Sequence, residues 1–404
     1  MTCVSEEQQR EQRWRALSEQ LLSEPELAFH EQRAHDLICA ELAREGFAVR
    51  RNYVFSTAFR AEYQFPPEPA PVEGITVGLV CEYDALPGLG HACGHNLVAA
   101  GTLAAASAIR QRMEKEQVHG RLVVLGAPGS EAPRPCCKSQ LLDQGELSGL
   151  TALLALHPTS ARDLGCCPGI DQETAGQWLD VRFRGAAALD AAVLSYWVLA
   201  SRCRGIVSQG GSNPCEPTTR SESQYVLLAS DDAQLGERRQ AAEDALLGVA
   251  KATGCFLECR FGKPRPRPVF SRTLEQLYSA EVQKTDERKL NEGSPAVEDT
   301  KPDRVPPPWF SCSSGQWYGA WSDWGRVSRA LPCLRASYTL PGAFGAPHSR
   351  AFAEAVSTPH ALTATFEAAD ALAATALKLL VQRDDTLVAQ HRQQQAHVPL
   401  TRAQ

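Results

Sequence analysis

The chain has 404 residues, 43% of them hydrophobic and 22% charged, the balance of a folded globular protein, which excludes a disordered chain. A net charge of −6 supplies no basic surface for a nucleic-acid backbone, and nothing approaches the ~20 apolar residues of a membrane span. The polar N-terminus MTCVSEEQQREQRWR lacks the apolar run of a secretory signal, so the expected setting is the cytoplasm, where most of the 14 cysteines, including the adjacent pairs Cys136-Cys137 and Cys166-Cys167, remain reduced thiols.

Helical periodicity covers 12–46. Short β-branched runs follow at ITVGLVCEY (75–83), RLVVLGAP (121–128) and TALLALHP (151–158), with an Ala- and Leu-rich helix predicted over 97–113. Strand and helix alternate as in a largely parallel α/β sheet. The pattern restarts with a strand WLDVRF (178–183), a helix over 188–203, a strand SQYVLLAS (223–230), a helix over 233–252 and a strand CFLECRF (255–261). That order predicts a small ferredoxin-like α+β sandwich. Residues 263–308, rich in proline and charge, are expected to be irregular. WYGAWSDW (317–324) is expected to pack beneath the apolar helix predicted over 362–382, which returns to the first sheet, the alternative being that its tryptophans line a substrate pocket. The predicted layout is α/β: a catalytic-type domain with a mostly parallel sheet from 1–175 and 309–404, and a ferredoxin-like domain, 176–262, inserted between.

The stretch CEYDALPGLGHACGHN (81–96) places Asp84 at a strand end and His91, Cys93 and His95 in a glycine-rich loop. Strand ends are where α/β sheets keep their sites. A thiolate and an imidazole one residue apart can face one ion, and sulfur with nitrogen suits zinc. Taken alone, such a pair is also met as a buried thiol beside a core imidazole. Three more donors join it: Glu131 after one strand, His157 at the end of another, and His348 in the loop GAFGAPHS. Five N, S and O donors suffice for two zinc ions, with Asp84 orienting an imidazole ligand.

The segments PELAFHEQRAHDLICAEL (25–42), STAFRAEY (56–63), EYDALPGLGHACGHNL (82–97) and RLVVLGAP together resemble the aminoacylase/carboxypeptidase family of two-zinc metallopeptidases, in particular its cytosolic dipeptidase branch. The resemblance covers 12–260 and 310–382. It implies a zinc-peptidase-like catalytic domain with a mixed sheet and an inserted domain used for dimerisation and as a lid. It also implies hydrolysis of a small dipeptide or N-acyl amino acid, with a basic C-terminal residue as the expected preference. The family's donor positions correspond to Cys93, His95, Glu131, His157 and His348, holding two zinc ions for which manganese or cobalt can substitute. The implied protein partner is a second subunit, either a copy of this chain or a paralogue.

The sequence also departs from the family. Where the family reads Gly-Thr-Pro-Ala-Glu-Glu, with the first glutamate as general base, this chain reads Gly126-Ala127-Pro128-Gly129-Ser130-Glu131. A serine hydroxyl is no base at neutral pH, and a positioned base is worth ~100- to 10,000-fold in rate. The family's Gly-Lys-Ala-x-His loop is missing after VRFRG (181–185), and with it an oxyanion donor worth ~3 kcal/mol. The position of a substrate-contacting asparagine is taken by Cys215. The expectation is therefore a zinc-dependent dipeptidase of weakened turnover; the alternative is an inactive relative that binds a metal, a ligand or a paralogous subunit.

Overall fold

The computed structural model describes residues 5–67, 74–132, 136–160, 174–200, 203–291, 322–343, 345–382 and 386–396. The helical periodicity near the N-terminus resolves into α1 (Glu6–Ser23) and α2 (Gln32–Arg44), separated at Pro25. A capping box starts α1, with the Ser5 hydroxyl accepting from the Gln8 amide and the Gln8 side chain accepting from Ser5, satisfying donors that a helix start leaves open. Then follow β1 (Ala48–Arg51), β2 (Phe59–Phe65), β3 (Thr76–Cys81), α3 (His95–Glu116), β4 (Gly120–Gly126), α4 (Cys137–Asp143), β5 (Ala152–Thr159), β6 (Ala175–Arg184), α5 (Ala188–Leu199), β7 (Cys203–Gln209), β8 (Arg220–Ala229), α6 (Asp232–Thr253), β9 (Phe256–Phe261), α7 (Arg272–Asn291), α8 (Trp324–Ala330), β10 (Cys333–Thr339), α9 (Arg350–Val356), α10 (Pro359–Gln382) and α11 (Thr386–Ala396).

The chain divides into two compact units, one built from both ends of the chain and one from its middle. The first carries a six-stranded sheet in the order β1-β2-β4-β3-β5-β10. Strands β4, β3, β5 and β10 run parallel, and β1 and β2 add an antiparallel edge. The parallel strands are buried on both faces, as βαβ crossovers require. Helix α3 lies under this sheet and against α1 and α10. Its Ala99, Ala100, Ala104 and Ala105 meet Ala368, Ala369, Ala371 and Ala376 of α10 in one apolar core, and small side chains let the two helices approach closely. Gly101 marks the tightest point: a Cβ there would stand 2.8 Å from Thr365 Cγ2.

The second unit is an antiparallel sheet, β7-β8-β6-β9, with α5 and α6 packed on it. Its β-α-β-β-α-β order is the ferredoxin-like one. Two expectations change. The helix predicted over 188–203 ends at Leu199 and gives way to the edge strand β7, which supplies the strand hidden in the sequence pattern. The segment expected to be irregular, 263–308, contains α7, which packs against α10 and β10 through the buried Leu274 and Tyr278; residues 292–308 lie outside the described residues, as do Cys166, Cys167 and 317–321 of the tryptophan cluster. The described cysteines, Cys136 and Cys137 among them, are free thiols. No described helix is long and apolar enough to cross a membrane.

Candidate metal centre

The carboxyl ends of the parallel strands β3, β4, β5 and β10 converge in the first unit, and the loops leaving them carry the chemistry, as in open α/β sheets generally. Cys93 and His95 flank Gly94, the residue at which α3 begins. Gly94 has φ +77°, and a Cβ there would stand 2.5 Å from Pro158 Cγ. Only glycine allows this turn, and the turn is what puts the thiol and the imidazole on one side. His157 is contributed by β5 itself, Glu131 by the loop after β4, and His348 by the loop between β10 and α9. His348 sits at φ +67°, a costly conformation for a non-glycine residue, and its amide donates to the Ala92 carbonyl at 2.8 Å. That bond ties the late loop to the Cys93 loop.

The structure brings all five predicted donors together. Cys93 Sγ is 3.4 Å from His157 Nε2 and 3.3 Å from His348 Nε2. His348 Nε2 lies 3.2 Å from Glu131 Oε2, and His95 Nε2 lies 3.5 Å from Glu131 Oε1. Two triads result, Cys93-His95-His157 and Cys93-Glu131-His348, each with its ligand atoms within 4.8 Å of one another. The closest separations match the edges of a tetrahedron with arms of ~2.0–2.3 Å around zinc. Asp84 stands behind this cluster: its Oδ1 takes a hydrogen bond from His95 Nδ1 at 2.9 Å, so that Nε2 turns toward the other donors. Its Oδ2 accepts from the Glu131 amide at 2.7 Å. His91, from the same glycine-rich loop, is buried and belongs to neither triad.

Electrostatically, the donors satisfy one another. Burial opposes charge on Glu131, yet hydrogen bonding to His348 and the nearby His95 win, and its carboxyl is held down to about 2. Burial likewise opposes the His348 imidazolium, but Cys93 and Glu131 push it up to about 10. His95 is raised well above the usual imidazole range, burial being outweighed by Cys93 and Asp84. His157 is lowered far below it by burial, with the charges of Arg335 and His95 adding to the effect. A divalent cation held by these donors would take over the charge balance that the imidazoles and the carboxylate give one another.

Ser130 is not idle. Its hydroxyl donates to Glu82 Oε1 at 2.8 Å, and Lys138 Nζ donates to the same oxygen at 2.8 Å and to Ser130 Oγ at 3.1 Å. Glu82 and Lys138 have side chains only 3% and 2% exposed. Burial would raise the Glu82 carboxyl, but the Lys138 ammonium, helped by His95 and Arg335, holds it well below the carboxylate range. The fully buried Glu31 braces the same loop, accepting from the Gly129 amide and the Thr57 hydroxyl, both at 2.8 Å. Sequence reasoning passes over Glu82, Lys138, Arg335 and Glu31. Glu82 carries a signal, because residues two apart in extended chain point the same way and Asp84 is among the predicted residues. In the other unit, Cys215 is exposed, and β6 passes through residues 185–187 straight into α5.

No family model matches the sequence. Among curated proteins, the chain is 31% identical over 392 residues to the human Xaa-Arg dipeptidase, covering 90% of this chain and 85% of that protein. It is 26% identical over 310 residues to a p-aminobenzoyl-glutamate hydrolase polypeptide of Escherichia coli, covering 67% of this chain and 62% of that one. Among solved structures it resembles a dinuclear metal-binding peptidase of the M20 family from Bacillus subtilis, with a TM-score of 0.63 at 17% identity, covering 92% of this chain and 99% of the other.

Proposed function

Since the chain belongs to the aminoacylase/carboxypeptidase-type (M20) metallopeptidase family, whose members include Xaa-Arg dipeptidases, we propose that it is a cytoplasmic zinc-dependent dipeptidase or amidohydrolase whose turnover is weakened at its base. The observation that carries this reading is the convergence of Cys93, His95, Glu131, His157 and His348 at ligand spacing. Two divalent ions held by these residues, zinc by the softness of the donors and manganese or cobalt as substitutes, would polarise a scissile carbonyl and acidify a water molecule. The chain's own residues do the rest. Asp84 holds His95 in one tautomer and fixes the Glu131 backbone. Ser130 stands where the family's base stands and has no proton affinity to offer at neutral pH. The names of the relatives suggest a small dipeptide with a basic C-terminal residue, or an N-acyl amino acid.

A second reading, a catalytically inactive metal-, ligand- or paralogue-binding protein, draws on one observation: the Ser130 hydroxyl is already committed to Glu82 and Lys138. Metal analysis of the purified protein alongside hydrolysis of β-alanyl-lysine separates the two. Two ions with slow turnover is the expected result; two ions with none selects the second reading, and absence of bound metal refutes both forms of the metal centre. For the subunit partner, α5 presents Leu189, Val193, Leu194, Trp197 and Val198 to solvent, Trp197 at 74% exposure, beside exposed Ile206 on the edge strand β7. Such a face with an open edge favours a second subunit. A wild-type protein that stays monomeric by light scattering at every concentration, like Trp197→Asp, would sink the homodimer.

A further inference from the structure

The two oxygens of Glu82 have unequal company. Oε1 receives the Ser130 hydroxyl and the Lys138 ammonium. Oε2 receives no hydrogen bond among the described residues and stands 3.8 Å from His95 Nε2, the nitrogen that Glu131 Oε1 approaches to 3.5 Å. The Glu82 side chain is only 3% exposed, and a carboxylate oxygen in such a place that accepts no hydrogen bond is open to a cation. We propose that Glu82 Oε2 is a sixth ligand of the metal centre, bound to the ion that His95 holds. Two bonds of ~2.0–2.1 Å span the 3.8 Å separation at an angle of roughly 130–145°.

The inference rests on the metal-centre reading above and deepens it. It also gives Ser130 and Lys138 a task. Both grip Oε1 and leave a single oxygen free, which fixes the carboxylate as a one-oxygen ligand and sets its direction. The Lys138 charge balances that of Glu82, so the ligand enters the site as half of a neutral pair and the paired charges are not left bare in the interior. The residue at 130 then acts as a positioning residue behind a ligand, in place of the proton acceptor that the family resemblance implies there.

The test is metal binding by the full-length chain, read by chelator competition for zinc and by visible absorption of the cobalt(II) form. The variants are Glu82→Gln, the charge-neutral Glu82→Gln/Lys138→Met, and Ser130→Ala. Losing Glu82 should weaken one of the bound ions by ~10- to 100-fold, the range for disturbed metal surroundings, and alter the cobalt spectrum. Ser130→Ala should give a smaller loss in the same direction. Should Glu82→Gln misfold because Lys138 loses the Glu82 charge, the double variant carries the comparison, with circular dichroism as the check on folding. Wild-type affinity and spectrum in the folded double variant would overturn the Glu82 assignment and leave the five-donor centre standing. A wild type that takes up neither zinc nor cobalt would overturn both.

Discussion

Replacing Ser130 by glutamate tests the argument about the missing base. The introduced carboxylate would enter a site where Glu82 Oε1 lies 2.8 Å and Lys138 Nζ 3.1 Å from the present hydroxyl. Two carboxylates ~4 Å apart repel by ~4 kcal/mol at an effective dielectric of ~20, equivalent to ~3 pK units. Lys138 is within reach of both and offsets most of this. A net rise of ~1 unit would bring the new carboxyl closer to neutral pH, where a general base is most effective, at a cost of ~1.4 kcal/mol in stability. Zinc-loaded Ser130→Glu should then hydrolyse β-alanyl-lysine ~100-fold faster than wild type or more, while the near-isosteric Ser130→Gln should not. If wild type is already fast and Ser130→Glu leaves kcat unchanged, another group takes the proton and the reasoning from Ser130 is wrong.

Gly94→Ala should cost ~2–4 kcal/mol, since it adds a strained left-handed residue to a 2.5 Å clash with Pro158 and swings Cys93 from His95; denaturant unfolding within ~0.5 kcal/mol of wild type would contradict this. A pH dependence follows from His348, whose folded value of about 10 exceeds the ordinary 6.5. The stabilisation it gives the metal-free fold is complete below pH ~6.5 and disappears as pH rises toward ~10. The melting temperature of chelator-treated protein should accordingly fall across that window, and His348→Ala should flatten the fall; an unchanged slope in the variant would refute the assignment.

Legibility in the amino-acid sequence differs by element. The glycine-rich loop announces itself, because a thiol and an imidazole flanking one glycine need a left-handed turn to converge, and Gly94 makes it. His157 is marked in the sequence by its place at a strand end, Glu131 by following a strand, and His348 by its glycine-rich loop. The strand β7 stays hidden behind the apolar continuity of α5, where sequence period alone does not mark an end. Prolines near 264–268 mask α7, whose Leu274 and Tyr278 reach the core. Lys138 and Arg335 give no local signal at all: one opens a short helix, the other sits inside a strand, and only tertiary packing turns their charges toward Glu82. Ser130 is legible as a departure, but its hydrogen bonds to Glu82 and Lys138 are not, since partners 48 and 8 residues away cannot be paired from sequence.

The pairing of Cys93 with His348 spans 255 positions of the chain. During synthesis the centre therefore stays open until His348 has left the ribosome, 255 residues after Cys93, and the inserted sheet is synthesised before the first unit can close. An ion seated on both residues would act as a late staple, joining the opening and closing thirds of the chain. Closing so long a loop removes considerable freedom from the unfolded chain. Metal loading should thus mark the end of assembly, and chelation should be felt first where β10 lies along β5, the seam at which the two ends of the chain meet.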